Sequence, residues 1–175
     1  SRNRYAISRI TRILKKTVFS LQKQLKKGVF SPKGFEMGFY KNLPQGTEDE
    51  IKLSVNGRID RIDTYETDDK VYVKVVDYKT GEKAFDLGEL CYGLQMQLVV
   101  YMNMAMEIQE GKHPEKQVIP AGLFYYQMKD PILDKLEKEE EREKLLLKEL
   151  KLDGVVNQSE EVLKRLDRNM EGQSL

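Results

Sequence analysis

Long apolar runs and cysteine are both scarce in this sequence. No apolar run approaches the roughly 20 residues that a membrane-spanning helix needs, so we expect no membrane protein. Cys91 is the only cysteine, which excludes an internal disulfide and suits the reducing cytoplasm. The first residues do not resemble a signal peptide. The chain has 175 residues, 39% of them apolar and 34% charged, which predicts one soluble, cytoplasmic domain with a charged surface.

Net charge is also low, at +1, but the charges are unevenly distributed. Residues 1–41 contain eleven lysines and arginines and a single acid, Glu36, whereas residues 134–149 are rich in glutamate. A basic segment of this kind could follow a phosphate backbone. Charge alone equally permits a solvated helix face, so both interpretations stay open.

Hydrophobic spacing predicts several helices. Residues 5–27 carry apolar side chains three and four positions apart and precede Gly28, which is typical of a helix with a glycine C-cap. A second helix is predicted within 87–108 from a stripe formed by Leu90, Leu94, Leu98, Tyr101, Ala105 and Ile108. Further helices are predicted near 134–149 and after Ser159, a suitable N-cap.

Stretches rich in β-branched and aromatic residues predict four strands, at 35–40, 51–66, 70–79 and 117–128. Pro120 indicates that the last of these is an edge strand or starts late. The predicted order is therefore helix, three strands, helix, strand and helices, which favours the α/β class and one compact unit.

The turn "TDDK" between the second and third strands allows their register to be predicted. If Asp68 and Asp69 form a two-residue hairpin loop, residues whose numbers add up to 137 lie opposite each other. Asp60 then faces Asp77. Alternation puts both carboxylates on one apolar face, shared with Ile62, Val71, Val73, Val75 and Lys79. A shift of one residue would place the two acids on opposite faces.

Two carboxylates held opposite each other need a compensating partner. Their Cβ atoms lie about 5 Å apart, and like charges at that distance destabilise a sheet. Such a pair shares a proton or binds a cation, and Mg²⁺ or Mn²⁺ prefer oxygen ligands. Lys79, on the same face, could activate a water or stabilise developing negative charge. A surface ion-pair cluster remains the alternative.

Gln97 and Tyr101 lie one helical turn apart, beside the stripe predicted to face the sheet. A polar amide beside a packing face needs a hydrogen-bond partner. The simplest partners are a phosphate, a water of the metal site or backbone at the strand ends. Alternatively, Gln97 merely borders the core.

Three short motifs resemble the RecB-like branch of the PD-(D/E)XK nucleases: "GRID" at 57–60, "DYKTG" at 77–81 and "QLVVY" at 97–101. Segments such as "RYAISRITRIL", "IPAGLFYYQMKDP" and "KLDGVVNQSEEVLKRLD" extend the resemblance over nearly the whole chain, to the nuclease domain of AddB-type subunits of helicase–nucleases. The resemblance implies a restriction-endonuclease-like αβββαβ core, with a mixed central sheet flanked by helices and extra C-terminal helices. The implied parts are an N-terminal helix, a catalytic core and a C-terminal helical extension, at 1–30, 35–128 and 130–175.

The resemblance also implies roles for individual residues. Asp60 and Asp77 would be the metal-binding carboxylates, with the backbone carbonyl of Tyr78 as a further ligand. Lys79 would be the catalytic lysine. Glu36 would correspond to the acid that some members carry on the first strand.

Activity and partners follow from the same resemblance. Gln97 and Tyr101 would contact DNA or support the site, and Mg²⁺, or Mn²⁺, would be the cofactor for hydrolysis of DNA phosphodiester bonds. An exonuclease of this type would act on single-stranded DNA or a broken duplex end, beside the AddA-type subunit of the helicase–nuclease, during recombinational repair in the bacterial cytoplasm. The alternative is a non-cleaving module with a nuclease-like fold that holds DNA or a partner.

Two features of the family are missing. Members with an iron–sulfur cluster hold it with one cysteine before the core and three after it, so Cys91 alone cannot complete one, and we expect it in the core. The only histidine, His113, does not match the glycine-to-histidine motif that many members carry upstream of the core. Both differences predict an excised piece of a larger protein, whose activity in isolation is open.

Overall fold

The computed structural model describes residues 2–42, 54–81, 85–93, 95–131 and 138–168, which form one five-stranded sheet with helices on both faces. The predicted αβββαβ order is present, and the α/β class is confirmed. In chain order the elements are α1 Arg2–Lys27, β1 Ser31–Asn42, β2 Ser54–Glu66, β3 Lys70–Lys79, α2 Leu87–Cys91, α3 Met96–Lys112, β4 Gln117–Gln127, α4 Glu139–Glu149, β5 Leu152–Val156 and α5 Glu160–Leu166.

The strands lie in sequence order, β1-β2-β3-β4-β5. Only β3 and β4 run parallel, and the other neighbours are antiparallel, so the sheet is mixed. The β2–β3 pairs run from Glu66↔Val71 to Arg61↔Val76, and in every pair the residue numbers add up to 137. Thr67 closes the two-residue loop by donating its backbone N–H to the carbonyl of Lys70, at 2.9 Å. The predicted hairpin register is therefore confirmed.

Pro120 does not mark an edge strand, because β4 lies between β3 and β5. The proline sits where the β3–β4 register shifts, and β5 pairs with β4 only from Gly122 onward. A proline lacks the N–H of a ladder hydrogen bond and is tolerated at such an irregularity. The five-residue strand β5 was not predicted, so the C-terminal extension is not purely helical.

One face of the sheet packs against α3. Its core contains the predicted valines and Ile62, together with Tyr101, Met102, Met104 and Ala105 from the helix. The single helix predicted over 87–108 is divided into α2 and α3, because Gly93 has a positive φ of 79°. Leu94, predicted on the stripe, lies outside the described residues.

The opposite face packs against α1, α4 and α5. Leu21 of α1 and Leu146 of α4 contact buried residues of β3 and β4, and Val162 of α5 packs beside Tyr72. The hydroxyl of Ser159 accepts a hydrogen bond from the N–H of Val162 at 3.4 Å, as expected of an N-cap.

The end of α1 differs from the prediction. Gly28 is not among the residues with positive φ, so it does not act as a left-handed C-cap. A Cβ atom at this position would lie 2.5 Å from the carbonyl oxygen of Leu166. Gly28 is therefore needed because α1 and α5 approach each other closely.

Three further expectations concern Cys91, the bounds of two predicted elements and membrane-spanning helices. Cys91 is exposed at the last residue of α2, so its predicted place in the core is wrong. Residues 51–53 of the second predicted strand and 134–137 of the charged helix lie outside the described residues. Within the described ranges, each helix is too short or too polar to cross a membrane.

Candidate active site

The carboxyl end of β3 places Asp77 and Lys79 on the sheet face that α3 covers. Both continue the alternation of Val73 and Val75, which lie in the core on that face. Asp77 is only 3% exposed. The ammonium of Lys79 lies 2.5 Å from its Oδ2, and this contact offsets the cost of burying a carboxylate.

Lys79 is held by groups from three elements. Besides Asp77, its Nζ donates a hydrogen bond to Oε1 of Gln97 on α3 at 3.2 Å, and it lies 5.2 Å from the ring centroid of Tyr125 on β4. Gln97 in turn donates from Nε2 to the hydroxyl of Tyr101 at 2.6 Å. The partners of the Gln97 amide are thus the lysine and the tyrosine of the same predicted site.

Asp60 reaches the same strand end through the backbone. Its Oδ2 accepts a hydrogen bond from the N–H of Tyr78 at 2.7 Å, just beyond the last β2–β3 pair, Arg61↔Val76. Because that nitrogen is bonded to the carbonyl carbon of Asp77, the Asp60 carboxylate lies within one peptide unit of the Asp77 backbone. The structure therefore brings the two predicted acids together at one edge of the hairpin.

The alternation of side chains along β2, next to Asp60, differs from the prediction. Ile59 and Ile62 both lie in the core under α3, although strict alternation would send them to opposite faces. The phase of β2 therefore changes between Ile59 and Ile62, next to Asp60, whose carboxylate accepts the hydrogen bond from the N–H of Tyr78 on β3. The irregularity lies beside Glu36, which has a φ of 50°, a left-handed conformation that is uncommon outside glycine.

Glu36 itself is exposed, and its carboxylate accepts a hydrogen bond from Arg58 at 3.2 Å. Among the described residues no three His, Cys, Asp or Glu side chains lie close enough to share a metal ion. In this arrangement Glu36 does not join Asp60 and Asp77. Its role as a metal ligand remains a prediction.

The side chain of Tyr78 points away from the acids. Its hydroxyl accepts a hydrogen bond from Nη1 of Arg61 at 2.8 Å, and its ring packs edge-on against Tyr126 on the face opposite α3. Any contribution of Tyr78 to the site must come from its backbone, as predicted for its carbonyl oxygen.

Tyr125 is a residue of the site that the sequence reasoning missed. It lies directly beside Asp77 in the parallel register of β3 and β4 and is 1% exposed. Burial raises the pKa of its phenol above the ordinary value, and Asp77 acts in the same direction while Lys79 opposes it. The phenol therefore stays protonated at neutral pH. Alternation within "FYYQ" could have placed it on this face, but only once the pairing of β4 with β3 was known.

The donor atoms of the site suit a hard divalent cation. Asp60 and Asp77 supply carboxylate oxygens, and the Tyr78 carbonyl is a further oxygen on the connecting strand. Oxygen ligands of this kind favour Mg²⁺ or Mn²⁺ over the softer metals that bind thiolates. The residues present therefore fit the cation that the motif predicts.

A comparison with protein families matches residues 1–173 to the PD-(D/E)XK nuclease superfamily. The chain belongs to this superfamily. Asp77-Tyr78-Lys79 supplies the (D/E)XK part of the superfamily motif. Asp60 is preceded by Ile59, where the motif has proline. The residues that carry the superfamily motif are thus the ones that the structure gathers around Lys79.

The chain is also similar to parts of much larger proteins. It is 43% identical over 171 residues to the B-type subunit of the ATP-dependent helicase/deoxyribonuclease of Lachnoclostridium phytofermentans, covering 98% of the chain and 14% of that protein. The corresponding proteins of the same name from Clostridium acetobutylicum and Caldanaerobacter subterraneus are each 38% identical, with 98% and 99% of the chain covered. The chain spans about 15% of the length of these two relatives.

Proposed function

We propose that this chain is a metal-dependent deoxyribonuclease domain in which Asp60, Asp77 and Lys79 form the catalytic centre. The observation that supports the proposal is the position of Lys79, whose ammonium contacts both Asp77 and Gln97, while Asp60 accepts a hydrogen bond from the N–H of Tyr78 between the two motif residues. The lysine of the D-x-K motif is held in place by Asp77 and Gln97, and two acids lie at the same strand end. This arrangement supports hydrolysis of a phosphodiester better than it supports DNA binding without cleavage.

The two acids and the Tyr78 carbonyl would hold Mg²⁺ or Mn²⁺. When bound, such a cation polarises a phosphodiester and lowers the pKa of a water ligand. Lys79 contributes a fixed positive charge that stabilises the negative charge developing on the phosphate. Gln97 and Tyr101 keep the ammonium at one place, so little reorganisation is needed when the substrate binds.

The substrate and partners are proposed from the relatives. Their names describe one component of an ATP-dependent helicase/deoxyribonuclease. We infer that this chain acts in the same setting, beside the AddA-type subunit, on DNA that the motor unwinds from a broken end. Single-stranded DNA as the substrate, an exonuclease mode and a cytoplasmic location in recombinational repair belong to this proposal.

The experiment combines cleavage with metal binding. Single-stranded DNA is incubated with Mg²⁺ and the wild-type chain, Asp77→Ala, Lys79→Ala or the matched control Asp68→Ala, which removes an exposed acid at the opposite end of the hairpin. We expect cleavage by the wild type and the control only. Calorimetric titration with Mn²⁺ should show binding that Asp77→Ala abolishes and Lys79→Ala preserves.

Equal cleavage by all four proteins would reject the assignment of the centre. The alternative, a module that binds DNA without cutting it, requires salt-dependent DNA binding with no need for metal and no cleavage by the wild type. The complete and ordered D-x-K motif does not favour it.

A further inference from the structure

Helix α1 extends beyond the edge of the sheet at which β3 and β4 end. Leu21 packs on Val76 and Tyr126 over the sheet, whereas Lys16 and Arg12 reach Asp130, which lies past the end of β4. Helix residues rise by about 1.5 Å each, so the residues before Arg12 continue for about 15 Å past that edge. The first half of α1 therefore overhangs the strand end that carries Lys79.

A groove lies between this overhang and the ends of the two strands. Its volume is about 530 Å³. On the helix side the groove is lined by three apolar side chains and by Arg9, and its other side is formed by residues at the ends of β3 and β4. Its lining includes Ile10, Ile13, Leu14, Thr80, Gly81 and Met128. The groove therefore begins directly after Lys79, at the end of β3.

The charge of this region is positive. Helix α1 contains nine lysines and arginines and no acid. The one acid that lines the groove, Asp130, is bound by both Arg12 and Lys16, whose hydrogen bonds lower its pKa. Arg9 also lines the groove and makes no ion pair with any described residue, while Lys129 lies opposite and binds Glu149. The groove thus offers a net positive charge to an anion.

The apolar stripe of α1 is largely exposed. Along this stripe Ile7, Ile10, Leu14 and Val18 are each more than half exposed. Aliphatic side chains next to cations suit a single DNA strand, whose unpaired bases can lie on an apolar surface while its phosphates meet the cations. A duplex hides its base faces and would leave this stripe uncovered. A purely apolar protein partner would not explain nine cations without an acid.

We propose that the first half of α1 forms, with the chain after β3 and β4, the groove that receives single-stranded DNA and directs it to Lys79. Arg9 and Lys129 contact phosphates, and Ile10, Ile13 and Leu14 contact bases. This inference rests on the proposed function, since it assigns the path of that substrate. Apart from Thr80 and Gly81, the residues of this entry surface lie outside the three sequence motifs.

The test measures DNA binding without cleavage. Fluorescence anisotropy with a labelled oligothymidine in EDTA compares the wild-type chain, Arg9→Ala/Lys129→Ala and the matched control Lys15→Ala/Lys26→Ala, which removes two exposed charges of α1 outside the groove. The groove variant should bind about tenfold more weakly, and the slope of log K against log salt should fall by about 1.4, since each phosphate contact contributes roughly 0.7. The control should change affinity by less than about twofold.

A variant that removes an apolar side chain and a duplex DNA ligand test the proposed base contacts. Leu14→Ser should weaken binding of the oligothymidine with the salt slope unchanged, because it removes a base contact and no charge. A blunt duplex of the same length should bind more weakly than the single strand. Thermal unfolding of each variant verifies that the fold is kept.

Equal losses in the groove and control variants, or equal affinity for duplex and single strand, would overturn the inference. Unchanged binding by Leu14→Ser would assign the stripe to a protein surface instead. Failure of the proposed function has a different signature. In that case Asp77→Ala cleaves as the wild type does in Mg²⁺, while the groove variant still loses DNA binding in EDTA.

Discussion

Asp63 lies between two cations on the sheet face opposite the candidate active site, and its replacement by asparagine tests how these charges are balanced. Its side chain is 0% exposed. Oδ1 lies 2.8 Å from Nε of Arg61, and Oδ2 lies 2.8 Å from Nζ of Lys74. Both cations are themselves 9% exposed or less. Asp63→Asn would leave two buried positive charges without an anion.

The expected loss follows from that geometry. Removing one partner of a buried ion pair costs about 3–5 kcal/mol, because the remaining charge is neither paired nor hydrated. Burial already lowers the pKa of Lys74, and Asp63 acts against this shift. Without Asp63 the pKa of Lys74 falls further, so the lysine can lose its proton. We therefore expect Asp63→Asn to lower the free energy of unfolding by about 3 kcal/mol, near the lower end of that range. A domain typically has a free energy of unfolding of about 5–15 kcal/mol in total.

The pH dependence of the variant has a definite sign. A lysine with a lowered pKa in the folded state binds fewer protons there than in the unfolded chain, in the pH range between its folded pKa and 10.5. The free energy of unfolding therefore rises with pH across that range. The rise should begin at lower pH in Asp63→Asn than in the wild type.

The assay is urea unfolding followed by far-ultraviolet circular dichroism at several pH values. Glu36→Gln is the matched control, because it neutralises an acid whose pair with Arg58 is exposed on both sides. That change should cost less than about 1 kcal/mol. A loss below about 1 kcal/mol for Asp63→Asn at pH 7, with an unchanged m-value, would refute the reasoning.

Three further predictions follow from single contacts. If the proposed function holds, Gln97→Met should lower kcat about tenfold with little change in KM, since it releases Lys79 without touching the acids; steady-state cleavage kinetics measure this. Gly154→Ala should destabilise the chain by about 3 kcal/mol or more, because its Cβ would lie 1.9 Å from the carbonyl oxygen of Leu123. The control Gly38→Ala, whose Cβ would have no atom within 4 Å, should leave thermal unfolding nearly unchanged. The pKa of Tyr72 is raised from 10.0 to about 12, chiefly by burial and by its hydrogen bond to Glu161. Its protonated form therefore stabilises the fold fully below pH 10, and this contribution is lost as the pH rises towards 12. Tyr72→Phe should therefore show a smaller loss of stability over that range than the wild type in alkaline unfolding.

The hairpin of β2 and β3 shows which features of the site could be predicted from neighbouring residues in the chain. A two-residue turn fixes the pairing of β2 and β3, and the pairs that place Asp77 near Asp60 could be counted from the sequence. The same counting assumed unbroken alternation along β2, which does not hold between Ile59 and Ile62. The change of phase between Ile59 and Ile62 depends on how β1 pairs with β2 beside Glu36, and no spacing within β2 reveals this.

Contacts between distant segments explain the other misses. Tyr125 meets Lys79 only because β4 pairs in parallel with β3, through a crossover that includes α3. The short strand β5 gains its place from the open edge of β4 rather than from its own pattern. The helix predicted over 87–108 contained Gly93, whose left-handed conformation divides it, and a glycine adopts either sign of φ so readily that the sequence alone does not predict which.

By itself the sequence determined the fold class, through the order of its helices and strands, together with the pairing of the central hairpin and the D-x-K motif, because these depend on residues close together in the chain. Only the tertiary structure decided that Lys79 is held from three elements, that Cys91 is exposed and that the apolar stripe of α1 overhangs the sheet. Periodicity tells which side chains share a face of one helix or strand. It does not tell what, if anything, covers that face, since this depends on elements that meet only after the chain has folded.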